Sequence, residues 1–264
     1  NMLRERVNVH PKGVLSVSWS PDGSRLVSGG ADNHMRIHDA DTLDEVLSVG
    51  GGVHQSWLMA VAWSPCGTYI ATACDDTYVR IWDAHEYTLI KTLSGHQSSV
   101  TAVAWSLDES GILATSSSDG TTLIWEIEGA DTMKVFSLKH NASTNTAVWT
   151  ADGRLATSDF TGNLVVWDKD EEPSHVFPSA HQGGMTIAWD KHGRLASAGL
   201  FEKRAKIWDP RVEASLPIMQ LWGEETSTKA ITFHPTKDEV YLGLINGVVR
   251  VWSIAGYSFA PQSS

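Results

Sequence analysis

The stretch RIWDA, residues 80–84, decides how this chain folds, because variants of it return along the sequence at a nearly constant interval. The other copies read RIHDA, LIWEI, VVWDK, KIWDP and RVWSI. Their third positions are residues 38, 82, 125, 167, 208 and 252, so successive copies lie 41 to 44 residues apart. A period of this length is the sequence signature of a repeat architecture, and it must be interpreted before any single motif.

A second aromatic series precedes the first within each repeat. It comprises VSWSPDG (Trp19), VAWSPCG (Trp63), VAWSLDESG (Trp105), AVWTADG (Trp149), IAWDKHG (Trp189) and ITFHPTKDE (Phe233). Polar and apolar residues alternate within the runs, and turn residues such as SPDG separate them. Each unit is therefore predicted to consist of short antiparallel strands. Such a unit cannot bury its apolar face alone and must stack on its neighbours.

The pattern resembles the WD-repeat family of β-propellers, in which each repeat forms a four-stranded blade. The family's Gly-His element stands at Gly95–His96. Units one, two, four and five keep only the histidine, and unit six has Gly223–Glu224 and lacks it. The resemblance covers nearly the whole chain and implies an all-β fold, with one propeller domain of six four-stranded blades over residues 1–264. The repeats span approximately residues 10–39, 54–83, 96–126, 140–168, 181–209 and 223–253.

Closure of the ring is also predicted from the family resemblance. In this family the N-terminal segment commonly supplies the outer strand of the last blade, so residues 3–9 are expected to pair with the blade built from residues 229–252. Because most relatives have seven blades, two options remain open: a true six-bladed ring, or a fragment of a longer array.

The net charge, the cysteines and the hydropathy of the chain limit which partners and which cellular location are expected. The formal net charge is −11, and because a phosphate backbone attracts a basic surface, direct nucleic-acid binding is not expected. Cys66 and Cys74 lack metal-ligand spacing and are interpreted as reduced thiols. No apolar run reaches the ~20 residues that span a membrane, and the N-terminus does not read as a signal peptide. We expect an intracellular protein, cytoplasmic or nuclear, that is neither secreted nor inserted in a membrane.

A polar set repeats with the fold. Its members are His10, Ser28 and Asp32 in unit one; His54, Thr72, Asp76 and Trp82 in unit two; and His96, Thr115, Asp119 and Trp125 in unit three. A Ser-His-Asp set suggests catalysis, but a catalytic site needs one set in one cleft. The family resemblance instead implies a buried hydrogen-bond chain within each blade. Units four, five and six carry Thr161, Glu202 and Asn246 in place of the aspartate. No catalytic residue, metal site or cofactor is predicted.

The resemblance places the usual binding face at the narrow end of the propeller. Spacing assigns to it a position in each first strand (Leu15, Met59, Thr101, Asn145, Met185, Lys229) and the residue before each structural aspartate position (Ala31, Asp75, Ser118, Phe160, Phe201, Ile245). Many of these are large and apolar, which indicates an interface unless the side chains fold back over the turns. The predicted partner-binding residues are Leu15, Trp57, Met59, Asp75, Phe160, Met185, Phe201 and Lys229.

Two further features concern the identity of the partner. Lys203 and Arg204 are expected to read an acidic or phosphorylated segment, unless they only form a solvated turn. The stretch KIWDPR, residues 206–211, resembles the Trp-Asp-x-Arg box of propellers that dock on the adaptor of cullin ubiquitin ligases. There Asp209 would turn the chain and Arg211 would offer a planar charged fork.

The leading hypothesis is a non-catalytic protein–protein interaction scaffold, a subunit of a multiprotein complex that binds other proteins or peptide segments. Two alternatives remain: a substrate receptor of a cullin-type ubiquitin ligase, and a propeller enzyme with a site at the central channel. Fold alone does not choose among them, because propellers host many unrelated functions.

Overall fold

The structure is a computed structural model, and it describes residues 9–50, 52–108, 111–128, 133–168, 173–212, 216–221 and 226–255. Regular structure in these residues consists of strands. Blade one contains β1 (Val14–Trp19), β2 (Arg25–Gly30), β3 (Met35–Asp39) and β4 (Glu45–Val49). Blade two contains β5 (Leu58–Trp63), β6 (Tyr69–Cys74), β7 (Val79–Asp83) and β8 (Leu89–Leu93). Blade three contains β9 (Val100–Trp105), β10 (Ile112–Ser117), β11 (Thr121–Glu126) and β12 (Met133–Lys139).

The second half of the chain repeats this order. Blade four contains β13 (Thr144–Trp149), β14 (Leu155–Asp159), β15 (Leu164–Trp167) and β16 (Pro173–Phe177). Blade five contains β17 (Met185–Trp189), β18 (Leu195–Gly199), β19 (Ala205–Trp208) and β20 (Met219–Leu221). Blade six contains β21 (Thr228–Phe233), β22 (Glu239–Leu244) and β23 (Val249–Ser253).

Each blade is an antiparallel sheet in which consecutive strands are neighbours. Blades one to five have four strands and blade six has three in the described part of the chain. The six-bladed all-β prediction is therefore confirmed. Residues 3–8 of the expected closing strand, and the beginning of the sixth repeat at residue 223, lie outside the described residues.

Short-range hydrogen bonds build the turns between first and second strands. In blade one the Ser20 hydroxyl donates to the Asp22 carboxylate at 2.6 Å, and Gly23 has a φ of 72°. The equivalent glycine of blade two, Gly67, has a φ of 77°. Glycine adopts this left-handed conformation without steric cost, which is why these two turns reverse the chain in so few residues.

The hydrophobic core lies between neighbouring blades rather than within single blades. Five apolar clusters join blade one to two, two to three, three to four, four to five, and five to six. Between blades two and three, for example, Ile81 packs with Val100, Leu113 and Trp125, all of them buried. Because the contacts run between neighbours, each blade depends on the blades beside it for its stability.

A closed ring of six blades would need a sixth cluster, between blades six and one, and the described residues form none. Strand β1 packs on β5 as the other neighbouring first strands pack on each other, but no comparable packing joins β21 to β1 in the described strands. Trp19 is 57% exposed, whereas the equivalent Trp105 of blade three is 5% exposed. On the other side of the opening Val249 is 69% exposed, whereas its equivalent in blade two, Val79, is 1% exposed. The described blades thus form an open arc, and ring closure is not confirmed.

Candidate partner-binding face

The polar set predicted for each blade forms a hydrogen-bond chain in blade three. The indole Nε1–H of Trp125 donates to Thr115 Oγ1 at 2.9 Å, and Thr115 Oγ1 lies 2.8 Å from His96 Nε2. His96 Nδ1 lies 3.0 Å from the Asp119 carboxylate. Burial lowers the pKa of His96, with Asp119 opposing that effect, so the ring is neutral and Nδ1–H donates to the carboxylate. The hydrogen-bond chain joins two strands, the turn between them and the loop before the blade, which supports a structural role.

Blade one forms the same chain with one substitution. His10 bonds Asp32 at 2.7 Å through Nδ1 and Ser28 at 2.9 Å through Nε2. His38 occupies the tryptophan position, and its Nε2 lies 3.2 Å from the Ser28 hydroxyl. An imidazole thus takes the place of the indole at the end of the chain.

Blade five keeps the chain although a glutamate replaces the aspartate. His181 Nδ1 lies 3.1 Å from the Glu202 carboxylate, and His181 Nε2 lies 2.8 Å from the Ser197 hydroxyl. The indole of Trp208 donates to the same hydroxyl at 2.7 Å. The longer glutamate side chain compensates for the additional residue in the preceding turn, so this departure from the pattern does not break the network.

Blade two departs from the prediction despite its complete sequence motif. Neither ring nitrogen of His54 has a hydrogen-bond partner among the described residues. The Asp76 carboxylate is instead held by the Arg80 guanidinium, with N–O distances of 3.1 and 2.8 Å. His54 packs edge-on against Trp82, with ring centroids 5.5 Å apart. The expected bond from His54 to Asp76 is therefore not formed, and a charged donor holds the carboxylate instead.

Blade four shows a similar rearrangement, in line with its altered sequence. His140 packs edge-on against Trp167 at 5.4 Å, and the Asp159 carboxylate accepts bonds from Thr161 and Asn163. Burial lowers the pKa of His140 to about 4 and that of His54 to about 4. The two histidine rings therefore pack against tryptophan and remain neutral at physiological pH.

The first-strand positions assigned to the binding face share one backbone feature. In five blades the first strand pairs with the second through a β-bulge, so one residue is added on the first strand. The added residues are Leu15, Met59, Thr101, Asn145 and Lys229. A bulge redirects a side chain at the end of a ladder. Leu15 and Lys229 are exposed here and the other three are partly buried.

Blade five lacks the bulge, and this corrects the assignment of Met185. Met185 pairs regularly with Gly199 and is fully buried in the cluster between blades four and five. It occupies the place of Leu58 and Val100, the buried residues that precede the bulge in their own blades. Met185 is therefore a core residue and is not available to a partner.

The missing bulge is visible in the sequence as a change of spacing. From the repeat histidine to the first-strand tryptophan is nine residues in units one to four, for example His10 to Trp19, but eight from His181 to Trp189. The prediction placed Met185 by its distance from Trp189, and that distance does not show the deletion. A one-residue shift in a strand moves a side chain to the opposite face.

The turn between β18 and β19 carries the compensating insertion. Leu200 N–H donates to Gly184 O at 2.9 Å, as Phe160 N–H donates to Ser143 O at 2.9 Å in blade four. Leu200 is thus the equivalent of Phe160, and Phe201 is the additional residue, 74% exposed.

Phe160 and Phe201 lie side by side over two glycines. A Cβ on Gly183 would come within 2.8 Å of the Phe201 ring, and a Cβ on Gly184 within 3.1 Å of the Phe160 ring. Both rings nevertheless leave large areas in solvent. We call Phe160, Phe201 and the two glycines beneath them the aromatic shelf.

Positive charge lies on the same turn as the aromatic shelf. Lys203 is exposed, and Arg204 Nε lies 3.5 Å from the Glu202 carboxylate. On the next blade, Lys229 is exposed at the bulge. An apolar shelf with exposed cations beside it offers two kinds of contact to one partner segment.

Trp57 forms a second exposed aromatic site, between blades one and two. It is exposed, its carbonyl accepts the Asp75 N–H at 2.9 Å, and Asp75 accepts the Ser56 hydroxyl at 2.8 Å. Leu15 and Met59 lie at the neighbouring bulges. Of the eight residues predicted to bind a partner, only Met185 is fully buried.

Arg211 lies on the opposite face, in the turn after β19. Its Nε and Nη2 donate to the two carboxylate oxygens of Asp209 at 2.8 and 2.7 Å. Asp209 is buried, and the ion pair lowers its pKa against the effect of burial. The guanidinium fork is thus directed at the aspartate of its own repeat, which disfavours the adaptor-docking assignment.

Substituting Arg211 by alanine is expected to leave the set of bound proteins unchanged, because its fork is occupied by Asp209. Co-purification from the native cells followed by mass spectrometry measures this. Asp209 loses its ion pair in the variant, so we expect a modest loss of stability, about 1–3 kcal/mol, in a denaturant titration. Selective loss of a cullin adaptor in a folded Arg211→Ala variant would show that the fork is used for docking.

The described residues contain no helix that is long and apolar enough to cross a membrane. No group of three or more His, Cys, Asp or Glu side chains there is arranged to hold a metal ion.

A protein-family model matches three stretches of the chain. The model described as "WD domain, G-beta repeat" matches residues 3–39, 51–83 and 87–126. Among curated proteins, the chain is 25% identical over 253 residues to the ribosome biogenesis protein WDR12 homolog of Drosophila yakuba, covering 92% of this chain and 51% of the relative. It is 33% identical over 203 residues to the protein transport protein sec13 of Aspergillus fumigatus, covering 63% of this chain and 66% of the relative. The chain thus spans about half to two thirds of the length of these relatives.

Solved structures give the same fold. The WD40 repeats of RRP9 superpose with a TM-score of 0.85 at 18% identity, covering 94% of this chain and 78% of that one. The structure of U3-55K superposes with a TM-score of 0.82 at 18% identity, covering 94% and 79%.

Proposed function

Because the chain belongs to the WD-repeat family of β-propellers, we propose that it is a non-catalytic scaffold that binds partner proteins as a subunit of a multiprotein complex. The observation that carries the proposal is the aromatic shelf. Phe160 and Phe201 leave much of their rings in solvent on the narrow face, and the rings rest closely on Gly183 and Gly184. Exposed aromatic residues gathered at one place are typical of an interface.

The distribution of polar groups supports a binding role rather than catalysis. The Ser, Thr, His and acidic side chains that suggested a triad recur along the chain, and in blades one, three and five they bond to one another inside the sheets. The relatives are named for two different processes, ribosome biogenesis and protein transport. We therefore transfer the scaffold role to this chain and not a process. An intracellular location is part of the same proposal.

The partner of the aromatic shelf is a peptide segment with an apolar side chain and an acidic or phosphorylated group. The apolar side chain would pack on Phe160 and Phe201. Lys203 and Lys229, both exposed, would face the negative group, and a phosphate offers the stronger charge-assisted hydrogen bonds. The net charge of −11 supports proteins as partners rather than nucleic acids.

The double substitution Phe160→Ser with Phe201→Ser tests the shelf. We expect the folded variant to lose its specific partners by about tenfold or more in co-purification, since each buried aromatic anchor contributes roughly 1.5–3 kcal/mol. The matched control is Val46→Ser with Leu89→Ser, two exposed apolar residues on outer strands. Circular dichroism checks that both proteins fold. Equal partner lists in wild type and shelf variant, or equal losses in shelf and control variants, would exclude this face as the binding site.

A further inference from the structure

A cavity of about 240 Å³ lies between blades three and four, away from the aromatic shelf. Its rim includes residues of the turns that follow β9, β13 and β15. It is lined by Ser106, Asp108, Ile112, Ile124, Val135, Phe136, Leu138, Trp149, Gly153, Leu155, Trp167 and Asp168. The narrow-face proposal does not use any of these residues.

One position explains why the cavity exists here. At this position the backbone carbonyl accepts a hydrogen bond from the N–H of the residue that follows the first strand of the same blade. The position is occupied by Tyr69 in blade two, Ile112 in blade three and Arg154 in blade four. The Tyr69 ring stacks on Trp105 of the next blade at 6.1 Å, and the Arg154 guanidinium lies 5.5 Å from the ring centre of Trp189.

Ile112 cannot cover its neighbour in this way. Its aliphatic side chain is shorter than tyrosine or arginine and carries no planar group. The corresponding Trp149 of blade four therefore lines an open cavity, together with Phe136 and Trp167. Where two other blades supply a side chain of their own to cover the tryptophan, blade three leaves that place unfilled.

The volume and the charges of the cavity define what fits. About 240 Å³ is below the range of ~300–1,000 Å³ found for drug-sized ligands, and it matches one large side chain. The walls are aromatic and aliphatic, which suits an apolar anchor. Among the described residues of the lining, the charged ones are the carboxylates Asp108 and Asp168. An occupant with a positive charge beside its apolar group is therefore complementary.

We propose that this cavity binds a protein segment that inserts one aromatic side chain over Trp149 and places a neighbouring lysine or arginine against Asp168. The occupant takes the place that Tyr69 and Arg154 fill in the adjacent blades. The inserted segment combines an aromatic ring, as Tyr69 supplies in blade two, with a cation, as Arg154 supplies in blade four. The scaffold then has two docking places of opposite charge preference: the shelf favours acidic segments and the cavity favours basic ones.

The test uses two short peptides, acetyl-Gly-Lys-Trp-Lys-Gly-amide and its analogue with both lysines replaced by glutamate. The protein is uniformly labelled with ¹⁵N, and the indole N–H signals of Trp149 and Trp167 are followed during titration. We expect saturable shifts with the lysine peptide, with a dissociation constant of about 1 mM, and at least about tenfold weaker binding of the glutamate peptide. Equal binding of the two peptides, or no saturable shift with the lysine peptide, would overturn the proposal.

Two variants test the site itself. Ile112→Tyr fills the cavity as Tyr69 does in blade two, and Asp168→Lys, at an exposed position, repels a basic segment. Each is expected to weaken binding of the lysine peptide about tenfold or more, and Asp168→Lys carries the test if Ile112→Tyr does not fold. Phe160→Ser with Phe201→Ser should leave it unchanged. If folded Ile112→Tyr or Asp168→Lys binds like wild type, the site is elsewhere. Concentration-dependent shifts of the same signals without peptide would identify a second copy as the occupant and also contradict the proposal.

Discussion

Replacing Trp105 by alanine is expected to lower the free energy of unfolding by about 3–5 kcal/mol, whereas replacing Trp19 should lower it by less than about 1 kcal/mol. The two residues hold the same place in their repeats. Trp105 is buried between blades two and three, and its indole donates to Ala62 O at 3.1 Å. Trp19 faces the opening between blades six and one and stays largely in solvent. The difference therefore comes from the presence or absence of a neighbouring blade.

A urea titration followed by circular dichroism measures both variants. Because repeat proteins do not always unfold in one step, midpoints and slopes are compared with those of the wild type before free energies are derived. Trp63→Ala, in blade two, is a further control, because Trp63 packs against the cluster between blades one and two. A loss for Trp19→Ala as large as that for Trp105→Ala would mean that blade one is covered in solution and that the arc is closed.

Stability is expected to fall steeply between pH 6.5 and pH 4 because of buried neutral histidines. Burial lowers the pKa of His54 and His140 from the ordinary value of 6.5 to about 4, and it lowers that of His181 to about 4. In the unfolded chain these rings bind a proton near pH 6.5, so in this window the unfolded state holds more protons. The contribution of these histidines to the free energy of unfolding is therefore fully present above pH 6.5 and decreases as the pH falls toward 4. His54 and His140 should each contribute on the order of 2–3 kcal/mol to this loss.

Aspartates do not account for the same window. The pKa values of Asp32, Asp76 and Asp119 are lowered from 3.8 by hydrogen bonds and by nearby histidine or arginine, against the effect of burial. Their stabilising contribution is present above the ordinary value and is lost only at lower pH.

Urea midpoints measured at several pH values test the histidine prediction. His140→Gln is expected to lower the midpoint at neutral pH and to flatten its dependence on pH, since a titrating group has been removed. His85 is exposed, so His85→Gln should change neither quantity. A wild-type midpoint that is constant from pH 6.5 to 4.5, or an unchanged slope in folded His140→Gln, would contradict the assignment of buried neutral rings.

The repeat pattern was sufficient to predict the architecture. Trp-Asp endings at regular steps, alternating strands and glycine turns are local features that do not depend on distant contacts, and six blades were found where the repeats indicated them. The polar chains of blades one and three were also predictable, because fixed spacings along paired strands bring His96, Thr115 and Asp119 together. The glutamate of blade five formed the chain despite its altered spacing.

Site residues were less predictable because one residue of register changes the face. Met185 had the same distance from its tryptophan as Leu15 and Met59, yet the missing bulge turned it into the core. His54 had the full motif, yet it makes no bond to Asp76, which pairs with Arg80. Both outcomes depend on backbone register and side-chain packing in the folded blades, which a sequence motif does not record.

The sequence by itself determined the number of blades, the order of their strands and the residue types available at each turn, because these follow from local periodicity and turn geometry. Only the tertiary structure decided that blade six does not cover Trp19, that Phe201 rather than Met185 reaches solvent, and that Ile112 leaves a cavity over Trp149. Exposure and cavity volume are properties of two packed surfaces. They arise from the fit between blades that are distant in the chain, and no single repeat contains that information.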